Sequence, residues 1–306
     1  MDHERTGSAG SQDAGASASP ISVERVGVVG CGLMGAGIAE VCARQGLPVV
    51  VVEADDVALD AGRRRIEASL ANAVRRGKLD AEDQPRILEA LTFVTDFDEL
   101  ADRDLVIEAV VEAEEAKTEV FARLDKVVER PDAILASNTS SIPIMKLAMA
   151  TSRPEQVVGL HFFNPVPVLP LVELVSSLIT HDDTTERAAG FAVDVLGKHV
   201  IRSQDRAGFI VNALLIPYLL SAIRMLESGF ATAEDIDTGM VQGCAHPMGP
   251  LALTDLIGLD TTLAVADSLY AEFKEPLYAA PPLLSRMVDA GLLGRKSGRG
   301  FHVYSS

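Results

Sequence analysis

The run RVGVVGCGLMGAGIAEVCARQGLPVVVVE, residues 25–53, constrains the fold more than any other stretch of this chain. A short apolar run leads into Gly30, Cys31, Gly32 and Gly35. A helix-like segment spans 33–45, and a second apolar run, 49–52, ends in Glu53. Strand, G-x-G-x-x-G turn, helix, strand and acid stand in the order and length of a βαβ unit that binds a dinucleotide. Gly30 permits the tight turn, Gly32 lets backbone approach a pyrophosphate, and Gly35 lets helix and strand pack closely. The helix start, with Leu33 and Met34, offers free amides and a positive dipole end to phosphates. A carboxylate at Glu53 accepts ribose hydroxyls and repels a 2′-phosphate, so the pattern predicts NAD rather than NADP. Three glycines alone would fit a plain glycine-rich loop; the flanking strands and terminal acid argue against that.

The rest of the first two-thirds alternates. A helical stretch over 57–78 is followed by strand candidates at 92–95, 105–110, 133–136 and 157–161, with a helix over 115–129 that stops before Pro131. A helix over 184–196 and a short strand at 199–201 complete this half. Such alternation predicts an α/β fold with a mostly parallel, doubly wound, Rossmann-like sheet covered on both faces. From about Ala207 the character changes. GFIVNALLIPYLLSAIRMLESG reads as one long apolar helix closed by Gly229, and a second starts at Thr232 with Glu234 and Asp235 in its first turn. Helical segments follow over 251–273 and 282–290, and no strand returns until the final FHVY. The expected division is therefore a Gly-, Ala- and Ser-rich disordered extension over 1–20, a sheet domain over 21–205 and an all-helical C-terminal domain over 206–306. Helices this apolar predict burial against a second copy, hence a homodimer.

Composition excludes several classes. A net charge of −17 disfavours a nucleic-acid or anionic-membrane surface. No apolar run reaches the roughly 20 residues of a membrane-spanning helix. Three scattered cysteines, Cys31, Cys42 and Cys244, suit neither a disulfide framework nor a zinc site, so no metal is expected and a reducing cytoplasm fits.

In VVGLHFFNPVPVLPLVELV, His161 ends an apolar strand, where a doubly wound sheet opens to its ligand crevice. Pro165, Pro167 and Pro170 stiffen the loop leading to Glu173. An ionised glutamate inside LVELV is costly unless paired, and His161 is the nearest partner. A carboxylate that orients an imidazole is a general-base arrangement, which is preferred over a core histidine beside a stray acid. Other readings stay open. ASNTSS, residues 136–141, offers Asn138 and Ser140 at a strand end, or simply caps the next helix. Glu112 and Lys117 read most plainly as a solvated ion pair at a helix start, and Asn212 as a helix-packing amide. Arg63, Arg64 and Arg65 could meet anionic phosphates, although a solvated helix face is the simpler assignment.

Taken together, GCGLMGAGIAEV, ASNTSS, GLHFFNPVPVLPLVEL, LGKHV, GFIVNALLIPYL, HPMGPLALTDLIGLD and GRKSGRGFHVY stand in order across residues 30–304. They closely resemble the L-3-hydroxyacyl-CoA dehydrogenase family, in particular its short, 3-hydroxybutyryl-CoA-acting branch. The resemblance implies an NAD-linked oxidoreductase acting on an acyl-CoA substrate, with His161 as base, Glu173 its partner, and Ser140 and Asn212 at the reacting part of the substrate. It also implies a cofactor site of Gly30, Gly32, Leu33, Met34, Gly35, Glu53 and Asn138. Glu112 and Lys117 would lie near the nicotinamide end, and Asn164 would order the active-site loop. Its helical second domain dimerises. The first 20 residues have no counterpart in this pattern, and Glu53 stands where the family often has Asp. A gulonate-type sugar-acid dehydrogenase and a non-catalytic nucleotide-binding protein are the alternatives.

Overall fold

Valine-rich runs build the central sheet, because β-branched residues buried on both faces suit a parallel sheet covered by helices. The computed structural model describes residues 23–304, so the reading of 1–20 lies outside the described residues. In chain order the first half comprises β1 (Val26–Val29), α1 (Leu33–Arg44), β2 (Val49–Val52), α2 (Asp56–Arg75), α3 (Asp83–Glu89), β3 (Leu91–Val94), β4 (Leu105–Glu108), α4 (Glu114–Val127) and β5 (Ile134–Ser137). It continues through α5 (Ile144–Ala148), β6 (Val157–Phe162), β7 (Leu171–Ser176), α6 (Asp182–Gly190) and β8 (His199–Gln204). The strands form one sheet ordered β3-β2-β1-β4-β5-β6-β7-β8. The order reverses direction at β1 and β4, which places a ligand crevice beyond their carboxyl ends.

All pairings are parallel except β6 with β7. The connection over 163–170 is shorter than the dozen or so residues that a parallel crossover needs, so the chain turns back on itself. The resulting register sets His161 directly opposite Glu173. One apolar cluster, with Val28, Ile38, Val51 and Ile107, packs α1 and α2 on one sheet face. A second, with Val106, Phe121, Leu124 and Leu135, packs α4 and α5 on the other.

The second half contains α7 (Val211–Glu227), α8 (Ala233–Cys244), α9 (Pro250–Ile257), α10 (Leu259–Phe273) and α11 (Pro282–Asp289). They enclose their own core around Ile216, Leu220, Leu251 and Leu269. α7 runs unbroken through Pro217 and ends beside Gly229, whose φ of 70° reverses the chain. The Thr232 hydroxyl caps α8 by accepting from the Asp235 amide at 3.1 Å.

Three expectations need correction. α3 was not foreseen. The apolar run 251–273 is two helices, because Gly258 adopts φ 105° between them. FHVY is no strand and contributes only an isolated bridge, Arg299 with Val303. The amides of Phe301 and His302 donate instead to the Asp255 carboxylate, each at 2.9 Å, which replaces a ladder partner. No helix among the described residues is long and apolar enough to cross a membrane.

Candidate active site

Beyond β1, two glycines are required by the protein itself. A Cβ at Gly35 would meet the Gly30 carbonyl oxygen at 1.8 Å, and one at Gly30 (φ 90°) would meet Ala109 O at 2.8 Å. Gly32 differs. Its φ is an ordinary −64° and a Cβ there would touch nothing within 4 Å. The space that its missing side chain leaves open is what a pyrophosphate against backbone needs. α1 has no side-chain cap at Gly32, so the amides behind exposed Leu33 and half-buried Met34 remain available. At the end of β2, Glu53 accepts from the Cys31 amide through Oε1 and from the Ala54 amide through Oε2 at 3.1 Å. A cavity of about 570 Å³ opens here, lined by Gly30, Gly32, Glu53, Phe97, Val110 and Arg123. These residues fit NAD. Burial, reinforced by Glu53 and opposed by Arg65, pushes the Cys31 thiol up to about 12, which leaves it a neutral packing group. Of the arginine cluster, Arg65 donates to the Cys31 carbonyl at 3.1 Å and Arg63 stacks over Phe93.

Three strands along the sheet from β1, on β6, His161 Nδ1 lies 2.6 Å from Glu173 Oε2, with both side chains buried. An ionised carboxylate only accepts, so Nδ1 carries the hydrogen and Nε2 is left as the ring's acceptor. The other Glu173 oxygen, Oε1, accepts from the Ile210 and Val211 amides at 3.0 and 2.9 Å. Glu173 thus caps α7 from the neighbouring domain, and half-buried Asn212 follows in the first turn of that helix. Phe163 and Phe209 hold the imidazole between them, with ring centroids 4.6 and 5.6 Å away. Phe209 reaches this position from the left-handed region, φ 48°, directly after Gly208 at φ 74°. A non-glycine residue persists there only where its surroundings over-determine it.

The turn after β5 is organised by carboxylates. Asn138 Oδ1 accepts from the Phe162 amide at 2.9 Å and ties the turn to the strand that carries His161. Glu112 Oε1 collects the Thr139 hydroxyl at 2.6 Å, the Ser140 amide at 2.9 Å and the Ser141 amide at 3.1 Å. The half-buried Ser140 hydroxyl reaches the same oxygen at 3.3 Å. Burial raises the Glu112 carboxyl, but Lys117, the Thr139 hydroxyl and the Ser140 amide outweigh it and hold the group below the ordinary glutamate range. Lys117 is only 1% exposed and bridges Glu108 at 2.6 Å and Glu112 at 3.3 Å.

The plainer reading of Glu112 and Lys117 as a solvated pair therefore fails. So does capping of α5 by ASNTSS, since Asp205 supplies that cap to the Ile144 and Met145 amides, both at 2.7 Å. Asn164 is exposed on the 163–170 loop, and the Asn212 amide group makes no hydrogen bond among the described residues. Sequence reasoning missed Glu108 and Phe209. An acid inside the apolar run LVIEAV was a visible signal for the first; no local signal marks the second.

Comparison with known proteins identifies the family. Residues 25–206 match the model described as 3-hydroxyacyl-CoA dehydrogenase, NAD binding domain, and 208–304 match the C-terminal domain of the same family. A 3-hydroxybutyryl-CoA dehydrogenase of Mycobacterium tuberculosis is 61% identical over 283 residues, covering 92% of this chain and 99% of that protein. The crystal structure of M. tuberculosis FadB2 superposes with a TM-score of 0.92, covering 93% of this chain and 100% of the other. An (S)-3-hydroxybutyryl-CoA dehydrogenase structure from Ralstonia eutropha, 46% identical, gives 0.87 with 93% and 100% coverage. With both family models spanning nearly all of residues 25–304, this chain belongs to the 3-hydroxyacyl-CoA dehydrogenase family.

Proposed function

We propose that this protein is an NAD-dependent 3-hydroxybutyryl-CoA dehydrogenase that interconverts (S)-3-hydroxyacyl-CoA and 3-ketoacyl-CoA thioesters. The observation that carries the reading is the buried His161–Glu173 pair, at 2.6 Å, in the sheet whose β1 leads into the dinucleotide turn. His161 Nε2 takes the C3 hydroxyl proton in the oxidative direction and returns it in reduction. Glu173 fixes the ring and balances the charge it acquires. Bound NAD supplies the hydride chemistry. Ser140 donates to the substrate oxygen, and Asn212, at the start of α7, holds the acyl group from the helical domain. Glu112 and Lys117 support the turn beneath the nicotinamide end together with Asn138, while Asn164 orders the loop beside His161. Glu53 accepts the ribose hydroxyls. The domain division lies at 205–206, with cofactor chemistry on the first side and substrate enclosure and dimerisation on the second.

The direct test is NADH oxidation by acetoacetyl-CoA. Turnover is expected, with higher catalytic efficiency for NADH than for NADPH because Glu53 repels a 2′-phosphate. Oxidation of a gulonate-type sugar acid without turnover of acetoacetyl-CoA would move the assignment to the sugar-acid branch. A preference for NADPH would remove the role given to Glu53.

The homodimer rests on the helical domain's outer face. Leu214 of α7, Val241 of α8 and Leu256 of α9 are exposed there, and α8 adds Gly239 and Gly243, over which a Cβ would meet nothing. Exposed apolar side chains on three helices that pack on one another suit a self-complementary contact. The full chain is expected to sediment as a dimer, and Leu214→Asp combined with Leu256→Asp to shift it towards monomer. A double variant that dimerises as tightly as the parent places the contact elsewhere.

A further inference from the structure

The LGKHV motif is not used by the reaction described so far. It follows α6, whose last turn widens into a single π-helical turn over Phe191–Val195. Gly197 (φ 64°) then reverses the chain into β8. Lys198 stands at this reversal with its backbone fixed by a hydrogen bond from its amide to Ala192 O at 2.8 Å. Its side chain turns inward and is only 8% exposed. The ammonium donates to the carbonyl oxygens of Val166 and Leu169 at 2.6 and 2.8 Å. No carboxylate pairs with it among the described residues. The charged neighbour is Arg44 on α1, of like sign and itself bound to Glu40 at 2.5 Å. Burial, and then Arg44, push the Lys198 ammonium down, with Cys42 pulling weakly the other way.

A buried cation without a counter-ion is costly, so its placement calls for a reason. Both of its acceptors lie on the 163–170 loop. That loop begins with Phe163, the ring neighbour of His161, directly after β6, and it enters β7 two residues before Glu173. The same loop touches the cofactor side: Val166 packs on Gly37 of α1, where an added Cβ would come within 2.9 Å of the Val166 Cβ. The loop's own hydrogen bonds are few. Prolines at 165, 167 and 170 carry no amide, while Val168 and Leu169 both donate to the Pro165 carbonyl at 2.9 Å. The backbone ties the loop to β8 only at its end, where the His199 amide donates to Pro170 O at 2.8 Å, and charge-assisted bonds from Lys198 anchor its middle at 166 and 169.

We propose that Lys198 is a positioning residue: its buried ammonium grips the 166 and 169 carbonyls and so sets the loop that spaces the His161–Glu173 pair from the dinucleotide helix. This rests on the dyad reading above. Reacting groups misplaced by about 1 Å lose on the order of 10²-fold in rate, so the effect belongs in turnover rather than in cofactor affinity.

The test uses full-length Lys198→Met, which keeps the stem and loses the donors, and Lys198→Arg, which keeps charge and donors. Lys198→Met is expected to lower kcat with acetoacetyl-CoA by roughly 10- to 100-fold and to leave KM for NADH within about twofold. Amide exchange at Val168 and Leu169 should accelerate while β2 is unchanged, and Lys198→Arg should recover most of the turnover. If Lys198→Met does not fold, Lys198→Gln is judged by the same measurements. A folded variant with unchanged kcat, or a lower Tm with unchanged kcat and exchange, overturns the proposal. His161→Ala assayed alongside keeps the two ideas apart. If it retains turnover, the dyad reading fails, whereas normal exchange and kcat in the Lys198 variants remove only the positioning role.

Discussion

Replacing His161 with alanine is expected to lower turnover of acetoacetyl-CoA by about 10²–10⁴-fold, the usual worth of a positioned proton-transfer group. NADH binding should survive. The glycine turn and Glu53 sit at the ends of β1 and β2, whereas His161 belongs to β6 on the far side of β5. Stopped-flow turnover and NADH fluorescence titration separate the two quantities. Glu173→Gln should fall in the same direction. The glutamine keeps an oxygen for the Ile210 and Val211 amides but removes the charge facing the imidazole. Because the two side chains act as one unit, the double variant should lose little beyond His161→Ala alone. Near-normal turnover in His161→Ala would refute the mechanism and leave the fold untouched.

Lys117→Met is expected to produce the largest loss of stability. It removes the cation from a cluster in which Glu108 is fully buried and the Glu112 side chain is 33% exposed. Breaking a buried pair by deleting one partner typically costs about 3–5 kcal/mol, against a total stability of about 5–15 kcal/mol for most proteins. The pH dependence follows from Glu112. Its carboxyl titrates below its ordinary range in the folded protein, so its stabilising contribution is fully present above that range and disappears as pH falls through the lowered value. Without Lys117, burial acts on Glu112 with less opposition. The variant's deficit should therefore be greatest near neutral pH and shrink towards acid. Urea unfolding midpoints at pH 7 and at about pH 4, below the ordinary glutamate value, measure both effects, and a variant as stable as the parent at pH 7 would show that the cluster is not holding the turn.

The parts legible in the sequence were those with local causes. The glycine turn is written in consecutive residues, and the Gly30 and Gly35 contacts follow from their spacing. His161 and Glu173 were readable because an acid in an apolar run needs a partner and one candidate stood nearby. The same rule applied to Glu108 in LVIEAV would have exposed the Lys117 cluster. Glu112 and Lys117 instead look like an ordinary helix start when read alone. What stayed hidden depends on distant chain segments. Asp205 caps α5 from the far end of β8. The left-handed Phe209 leads into the Ile210 and Val211 amides, which bond the Glu173 carboxylate of a distant strand. FHVY has a strand's composition, but Asp255 takes the amides a ladder would need.

Glu173 holds the imidazole with one oxygen and the first amides of α7 with the other, so the position of the helical domain and the orientation of the base are tied through one carboxylate. Linkage is reciprocal: any ligand that favours the seated domain prepares the imidazole by the same factor, and whatever orders the imidazole tightens the junction equally. An acyl chain with a firm hold on the helical domain would then express that hold as a better-prepared base. Chain-length discrimination in this enzyme should accordingly be read in kcat at least as much as in KM.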